Sequence, residues 1–218
     1  SCDKLFLAAG SIGSTELLMR AQRSGSLKDL NEHVGRGWGS NGDAAVVRSF
    51  AMPEFVTQGA ASASMVQTDV DGMPVTLENW CVPGVSVDVG IIGSLGMTLD
   101  DKRADFGLDR DGNLTLDWSQ PDSQRAVETI NKEIASANNV LTGAPMFSES
   151  ANMGFTAHPL GGAVLGKAAD DYGRVKGHKG LYVMDGSMIP GNSGAVNPVI
   201  TITALAERNM ENIVANDR

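Results

Sequence analysis

The chain begins and ends with the same kind of unit: a short apolar strand that runs through a glycine turn into a helix. At the start, residues 4–10 (Lys4-Leu5-Phe6-Leu7-Ala8-Ala9-Gly10) predict a short buried strand closed by a glycine turn. In the helix that follows, Ser11 or Ser14 is placed to cap and Glu16 suits the first turn. Leu17, Leu18 and Ala21 form an apolar face, and Gly25 ends the helix. Near the other end, Leu181-Tyr182-Val183-Met184 reads as a second strand. A glycine-rich run from Asp185 to Val196 then leads into a helix from Asn197. Asn197 is its N-cap, Pro198 takes the first helical position, and Ile202, Leu205, Ala206 and Ile213 mark the buried face. Such units build α/β folds.

Between the two ends the pattern changes. Gly35-Arg36-Gly37-Trp38-Gly39-Ser40-Asn41-Gly42 reads as a glycine-dense loop. From about Ala44 to Met97, Val, Met, Thr and Ser predominate, with prolines at 53, 74 and 83, and several short strands are expected. Phe106 to Trp118 is the clearest hairpin, with its turn at Asp109-Arg110-Asp111-Gly112 and alternation through Leu114, Leu116 and Trp118. A helix capped near Ser119 or Asp122 carries Val127, Ile130, Ile134 and Leu141 at helical spacing. Residues 155–167 read as irregular. The expected class is α/β (α+β): a mixed sheet backed by helices, flanked by α/β pieces from both ends.

Composition narrows the function classes. The chain has 218 residues, of which 42% are hydrophobic and 20% charged, enough to bury a core and too ordered in character for a disordered segment. Its formal charge of −9 argues against wrapping nucleic acid or lying on an anionic membrane. No apolar run approaches the ~18 residues of a transmembrane helix. The two cysteines, Cys2 and Cys81, are far apart and outside any CxxC pattern, which sets aside a disulfide framework and a cysteine zinc site. A domain seldom opens two or three residues before a buried strand. The chain therefore reads as a fragment, or as one half of a larger protein.

Several motifs fail on inspection. Gly161 to Gly166-Lys167 has the spacing of a phosphate-binding loop, but Ala168 stands where the magnesium-binding hydroxyl belongs. Asp109-x-Asp111-x-Asn113 begins like a calcium loop, but Leu114 and Gln120 occupy the positions that need Gly and Glu. Ser14 and Ser187 lie outside GxSxG. His33 and His178 read as solvated. His158 differs, because Pro159 fixes the backbone beside it and Gly161-Gly162 allow close approach to the main chain; a structural histidine in a turn is the competing reading. Asn197 reads most simply as an N-cap. A helix N-terminus after a glycine-rich run also offers free N–H groups and positive potential to an anion, such as the pyrimidine edge of a reduced flavin. The strand ending in Asp185 could offer a carboxylate to the hydroxyls of such a cofactor.

Taken together, His158-Pro-Leu-Gly-Gly, Leu181-Tyr-Val-Met-Asp-Gly-Ser-Met-Ile-Pro-Gly and Asn197-Pro-Val-Ile-Thr-Ile-Thr-Ala-Leu-Ala-Glu-Arg-Asn resemble the C-terminal half of the glucose–methanol–choline (GMC) flavin oxidoreductases. Within that family the resemblance is strongest to bacterial cholesterol oxidases with non-covalent FAD. Leu5 to Leu18 and Val34 to Gly42 resemble the same subgroup, whereas similarity is weak from about Ala44 to Met153.

The resemblance implies FAD as cofactor, and Gly10, Asp185, Gly186, Asn197, Pro198 and Val199 as cofactor-binding residues. It divides the chain into 1–42, part of an FAD-binding domain; 43–157, a substrate-binding domain; and 158–218, a return to the FAD domain. A missing N-terminal half would carry the dinucleotide-binding GxGxxG turn, so this chain alone should bind FAD poorly and be inactive. The implied reaction oxidises a sterol or other bulky secondary alcohol to the ketone, with O2 reduced to H2O2. His158, Glu78 (in Thr76-Leu77-Glu78-Asn79-Trp80) and Asn197 are the implied catalytic residues. A carboxylate at Glu78, in an apolar pocket with a raised pKa, could also move a double bond from the 5-ene to the 4-ene position. A surface glutamate on a strand is the plainer reading of Glu78. Val199 stands where sterol oxidases carry an aromatic residue, and the loop from Gly191 to Val196 is one residue longer. A family dehydrogenase using another acceptor and a silent substrate-binding half are the alternatives. The compartment is not fixed by the sequence; the resemblance points to a bacterial protein and is compatible with secretion.

Overall fold

The structure, a computed structural model, describes residues 2–49, 59–81, 84, 86–87, 90–142 and 155–217. The expected strand-rich stretch includes 50–58, 82–83, 85 and 88–89, which lie outside the described residues, as does the segment 143–154.

The first unit forms as expected in outline. Strand β1 (Leu5–Leu7) turns at Gly10 into helix α1 (Gly10–Arg23). Gly10 has φ +78°, a conformation that only glycine adopts without strain. The strand is less buried than its composition predicts, with Leu5 48% exposed. Ser11 and Ser14 do not cap the helix; they lie inside it, and Ala9 is the N-cap. The inward face of α1 is Ser11, Ser14, Thr15 and Leu18, while Leu17 faces out. Small polar residues replace an apolar stripe because a backbone presses there: a Cβ on Gly162 would strike the Thr15 side chain.

The expected loop at 35–42 contains a strand, β2 (Arg36–Gly39). It pairs antiparallel with a later strand at Leu160–Gly162, inside the segment expected to be irregular. Glycine permits the pairing: a Cβ on Gly161 would meet the carbonyl of Gly37, and one on Gly39 the backbone of Gly191. Trp38 of β2 is buried, with edge contacts to Phe106 at 5.9 Å and Trp118 at 5.2 Å between ring centres.

The middle of the chain is an antiparallel sheet. Strands β3 (Ala44–Ser49), β4 (Met65–Val70), β5 (Met73–Trp80) and β6 (Ile91–Thr98) build it with a short β9 (Leu141–Thr142), in the order β4-β5-β6-β3-β9. The hairpin expected at 106–118 forms as β7 (Phe106–Leu108) and β8 (Leu114–Leu116). Asp109 holds its turn, accepting from the amides of Asp111 and Asn113.

Helix α2 (Pro121–Ala137) starts at a proline that suits the first turn and packs Ala126, Val127 and Ile130 onto Ala44, Val46, Val75 and Leu77. Gly96 lies directly beneath Val127. Leu141 does not continue this helix. The chain turns at Asn139 (φ +52°), and Leu141 lies in β9, 70% exposed. On the same side Arg48 is buried and donates to Asn131 (2.7 Å) and Ser94 (2.8 Å); burial pushes its guanidinium pKa down.

Strand β10 (Leu160–Gly162) and strand β11 (Leu181–Val183) return the chain to α1. β11 pairs parallel with β1 in the register Leu5↔Leu181, Phe6↔Tyr182, Leu7↔Val183. A second core gathers Leu18, Leu30, Val34, Ala163, Val175, Leu181, Val183 and Met188. The terminal helix α3 (Val199–Asn216) begins one residue later than expected, with Pro198 rather than Asn197 at the N-cap. Asp217, just past its end, accepts from Arg174 (2.7 Å) and from the Tyr182 hydroxyl (2.7 Å), tying the helix end to β11. No described helix is long and apolar enough to cross a membrane.

Candidate active site

The two ends of the chain meet in one cleft of about 270 Å³. Gly10 and Ser11 supply one wall, Ala157, His158, Pro159 and Leu160 another. Gly186, Asn197, Pro198, Val199, Ile202 and Thr203 close it. His158 and Asn197 therefore come together with four of the residues expected at a cofactor: Gly10, Gly186, Pro198 and Val199.

The walls belong to two helix N-termini. Neither α1 nor α3 has a capping side chain at its N-cap residue, Ala9 and Pro198. Asn197 accepts from the amide of Val199 at 3.2 Å, which satisfies one donor of the first turn. Helix N-termini carry partial positive charge and unpaired N–H groups, so two facing one cleft favour an anionic ligand edge. A Cβ on Gly10 would meet nothing within 4 Å, so the space above it is open. At Gly186 a Cβ would crowd Pro159 O at 3.2 Å and Leu160 at 3.3 Å, which keeps that backbone tight against the histidine segment.

Asp185 lies behind the cleft. One carboxylate oxygen accepts from the Gly10 amide (3.0 Å) and the Ser14 hydroxyl (2.5 Å), and the other accepts from the Ser187 amide (2.9 Å). The carboxylate thus clasps the start of α1 to the 3-10 turn Gly186–Met188.

Two residues of the segment 40–43, which sequence reasoning passed over, position both sides of the cleft. Asn41, fully buried, accepts from the amide (2.8 Å) and hydroxyl (2.9 Å) of Ser193 and donates to Val196 O (2.9 Å). It thereby holds the loop that delivers Asn197. Asp43, also fully buried, accepts from the amides of Ala157 (2.7 Å) and His158 (2.9 Å). Its other oxygen lies 3.1 Å from His158 Nδ1. The available signal was an acid directly after a glycine-dense run: such a run lets a short polar side chain reach other backbones.

Glu78 is not part of this cleft's lining. Val75 and Leu77 of β5 face α2, so Thr76, Glu78 and Trp80 face the opposite side of the sheet. Glu78 pairs across with Leu95, which pairs in turn with Ala45, two residues after Asp43. It is half-buried and accepts from the Ser62 hydroxyl at 2.8 Å. The histidine segment reaches the same face, because Phe155 packs on Trp80 with ring centres 6.2 Å apart. Among the described residues no cluster of His, Cys, Asp or Glu is arranged to hold a metal ion.

The strand–turn–helix core thus aims two helix ends and one held histidine at a shared cleft. Residues 107–206 match the family described as GMC oxidoreductase, in its C-terminal domain. A cholesterol oxidase of Acinetobacter baumannii is 27% identical over a 266-residue alignment covering 97% of this chain and 47% of its own length. One from Mycobacterium tuberculosis is 42% identical over 84 residues, 36% of this chain and 14% of its own. The crystal structure of pyridoxine 4-oxidase from Mesorbium loti superposes with a TM-score of 0.66 at 17% identity, covering 99% of this chain and 52% of the other. The match to the C-terminal domain of the GMC oxidoreductases thus lies on residues 107–206, and the chain spans about half the length of the relatives that it matches end to end.

Proposed function

We propose that this chain is the substrate-side portion of an FAD-dependent alcohol oxidase that acts on a secondary alcohol of a sterol or similarly bulky compound. The observation that carries the reading is the convergence of His158 and Asn197 with two helix N-termini on one cleft. The cleft suits a flavin. Gly10 leaves open space for a flat group, Gly186, Pro198 and Val199 supply its rim, and the helix ends favour the anionic edge. Asp185 serves the cofactor through Gly10, whose amide it holds. Bound there, the flavin supplies a two-electron acceptor, reoxidised by O2 with formation of H2O2. The dinucleotide-binding turn comes from the remaining half of the protein.

In this reading His158 takes the proton of the substrate hydroxyl as the C–H bond at the same carbon is broken. Asn197 and the start of α3 face the cofactor edge on which negative charge accumulates. Glu78, on the sheet face that the histidine segment crosses, is the carboxylate over the substrate. With a 5-en-3-ol it moves a proton between ring carbons and converts the first ketone into the conjugated 4-en-3-one. Val199, small and 60% exposed, leaves a wider rim than an aromatic residue would.

Anaerobic flavin reduction by a 3β-hydroxysteroid in the intact protein tests this. His158→Asn is expected to slow it roughly 10²–10⁴-fold. Glu78→Gln is expected to keep oxidation and accumulate the 5-en-3-one. Full-rate reduction in the first variant removes His158 from the mechanism, and a normal yield of 4-en-3-one in the second removes Glu78.

A further inference from the structure

We propose that Asp43 is a positioning residue: it fixes the tautomer of His158 so that Nε2 is the bare nitrogen presented to the cleft. The inference rests on reading His158 as the proton acceptor. An imidazole can accept a proton only at a nitrogen that carries none, and in the neutral ring only one nitrogen is bare. The surroundings of Asp43 decide which. One carboxylate oxygen accepts from the Ala157 amide (2.7 Å), the His158 amide (2.9 Å) and the Thr156 hydroxyl (3.1 Å). The other lies 3.1 Å from His158 Nδ1. A carboxylate offers acceptors only, so Nδ1 must carry the hydrogen. Among the described residues none bonds Nε2, and the ring lines the cleft.

Burial makes the arrangement rigid. The Asp43 side chain is 0% exposed and that of His158 13%. The same carboxylate binds both the backbone and the ring of His158, so the side chain cannot turn without breaking a bond. A proton arriving on Nε2 leaves the ring positive, directly opposite the carboxylate.

The structure also predicts what an isosteric change does. In Asp43→Asn the amides of Ala157 and His158 still demand an acceptor, so the asparagine oxygen turns toward them. Its NH2 group then faces Nδ1 and donates, forcing the hydrogen onto Nε2. Shape and backbone bonds survive, and the tautomer inverts.

The test is 15N NMR of the histidine-labelled intact flavoprotein at a pH where the ring is neutral, with the His158 signals assigned by their loss in His158→Asn. The expected wild-type pattern is a protonated Nδ1 and a bare Nε2. Because this needs no variant at position 43, it stands even if that variant folds poorly. Asp43→Asn is expected to invert the pattern and to slow flavin reduction about 10²-fold or more, with KM little changed. A protonated Nε2 in the wild type, or an unchanged pattern in the variant, overturns the assignment to Asp43. Inversion without loss of rate upholds the placement by Asp43 and overturns instead the reading of His158 as the proton acceptor.

Discussion

The two cores of this chain are built from different materials. Around α2 the sheet is closed by aliphatic side chains: Val46, Val75, Leu77, Val127 and Ile130. Around α1 the equivalent work is shared with backbone and small polar groups. Gly161 and Gly162 press on Gly37 and Thr15, Ser11 donates to Gly161 O at 2.7 Å, and Asp185 clasps α1. A side-chain core tolerates adjustment, because methyl groups can shift and rotamers can change. Where backbone meets backbone through glycine, nothing has room to yield. The cleft borders this second region, so its groups are held by contacts that have little room to adjust.

Adding one methyl group to each region separates them most sharply. Gly161→Ala would drive a Cβ into the carbonyl of Gly37, from a backbone with φ +87°. The expected cost is about 4 kcal/mol or more, combining clash with strain. For Gly96→Ala the three atoms nearest the new Cβ all belong to the Val127 side chain. Overpacking of that kind costs roughly 1–3 kcal/mol. Denaturant titration of both variants in the intact protein measures the gap. Equal losses would mean that the two cores yield alike, and would end the comparison.

Removing a contact sharpens it next. Ile130→Ala empties part of the aliphatic core and is expected to cost about 2–5 kcal/mol without disturbing cofactor affinity. Asp185→Ala strands the Gly10 amide, the Ser187 amide and the Ser14 hydroxyl. Its expected cost is on the order of 3 kcal/mol, with a loss of flavin retention, because the start of α1 is no longer held at the cleft. Unfolding curves read beside the flavin content after gel filtration show whether the two effects separate. Flavin retained at wild-type level in Asp185→Ala would detach the clasp from the cofactor.

What was legible in the sequence follows the same division. β1, β11 and the hairpin at 106–116 were visible as short apolar or alternating runs bounded by turn residues. His158 and Asn197 were singled out, and they do share a cleft. The misses are cases of tertiary context. Leu141 fits a helical period by number, but Asn139 turns the chain first. The sequence places Leu17, Leu18 and Ala21 on the inward face of α1, yet the residues buried there are Ser11, Ser14, Thr15 and Leu18, because a glycine backbone packs against them. β2 and β10 looked like loops because glycine hides the period on which strand recognition depends. Asn41 and Asp43 act on residues more than 100 positions away, and no local pattern reports such a partner.

The smallest expected effect lies at the far end of the parallel pair, where the end of α3 is tied to β11 by charge. Hydrogen bonds from Arg174, and then from the Tyr182 hydroxyl, hold the Asp217 carboxyl below the usual carboxylate range. A carboxyl with a folded pKa below its unfolded value near 4 stabilises the fold above that value. The contribution is lost as pH falls through the folded pKa, so it disappears only in the acid range below about 4. Asp217→Asn should therefore lower the melting temperature slightly at neutral pH and flatten its acid dependence below about pH 4. High salt should shrink the neutral-pH difference, because the pair lies near the surface. Ile130 packs against aliphatic neighbours, so Ile130→Ala should lower the melting temperature with little dependence on pH. An acid profile unchanged in Asp217→Asn would show that this tie adds nothing to the packing of α3 on its strands.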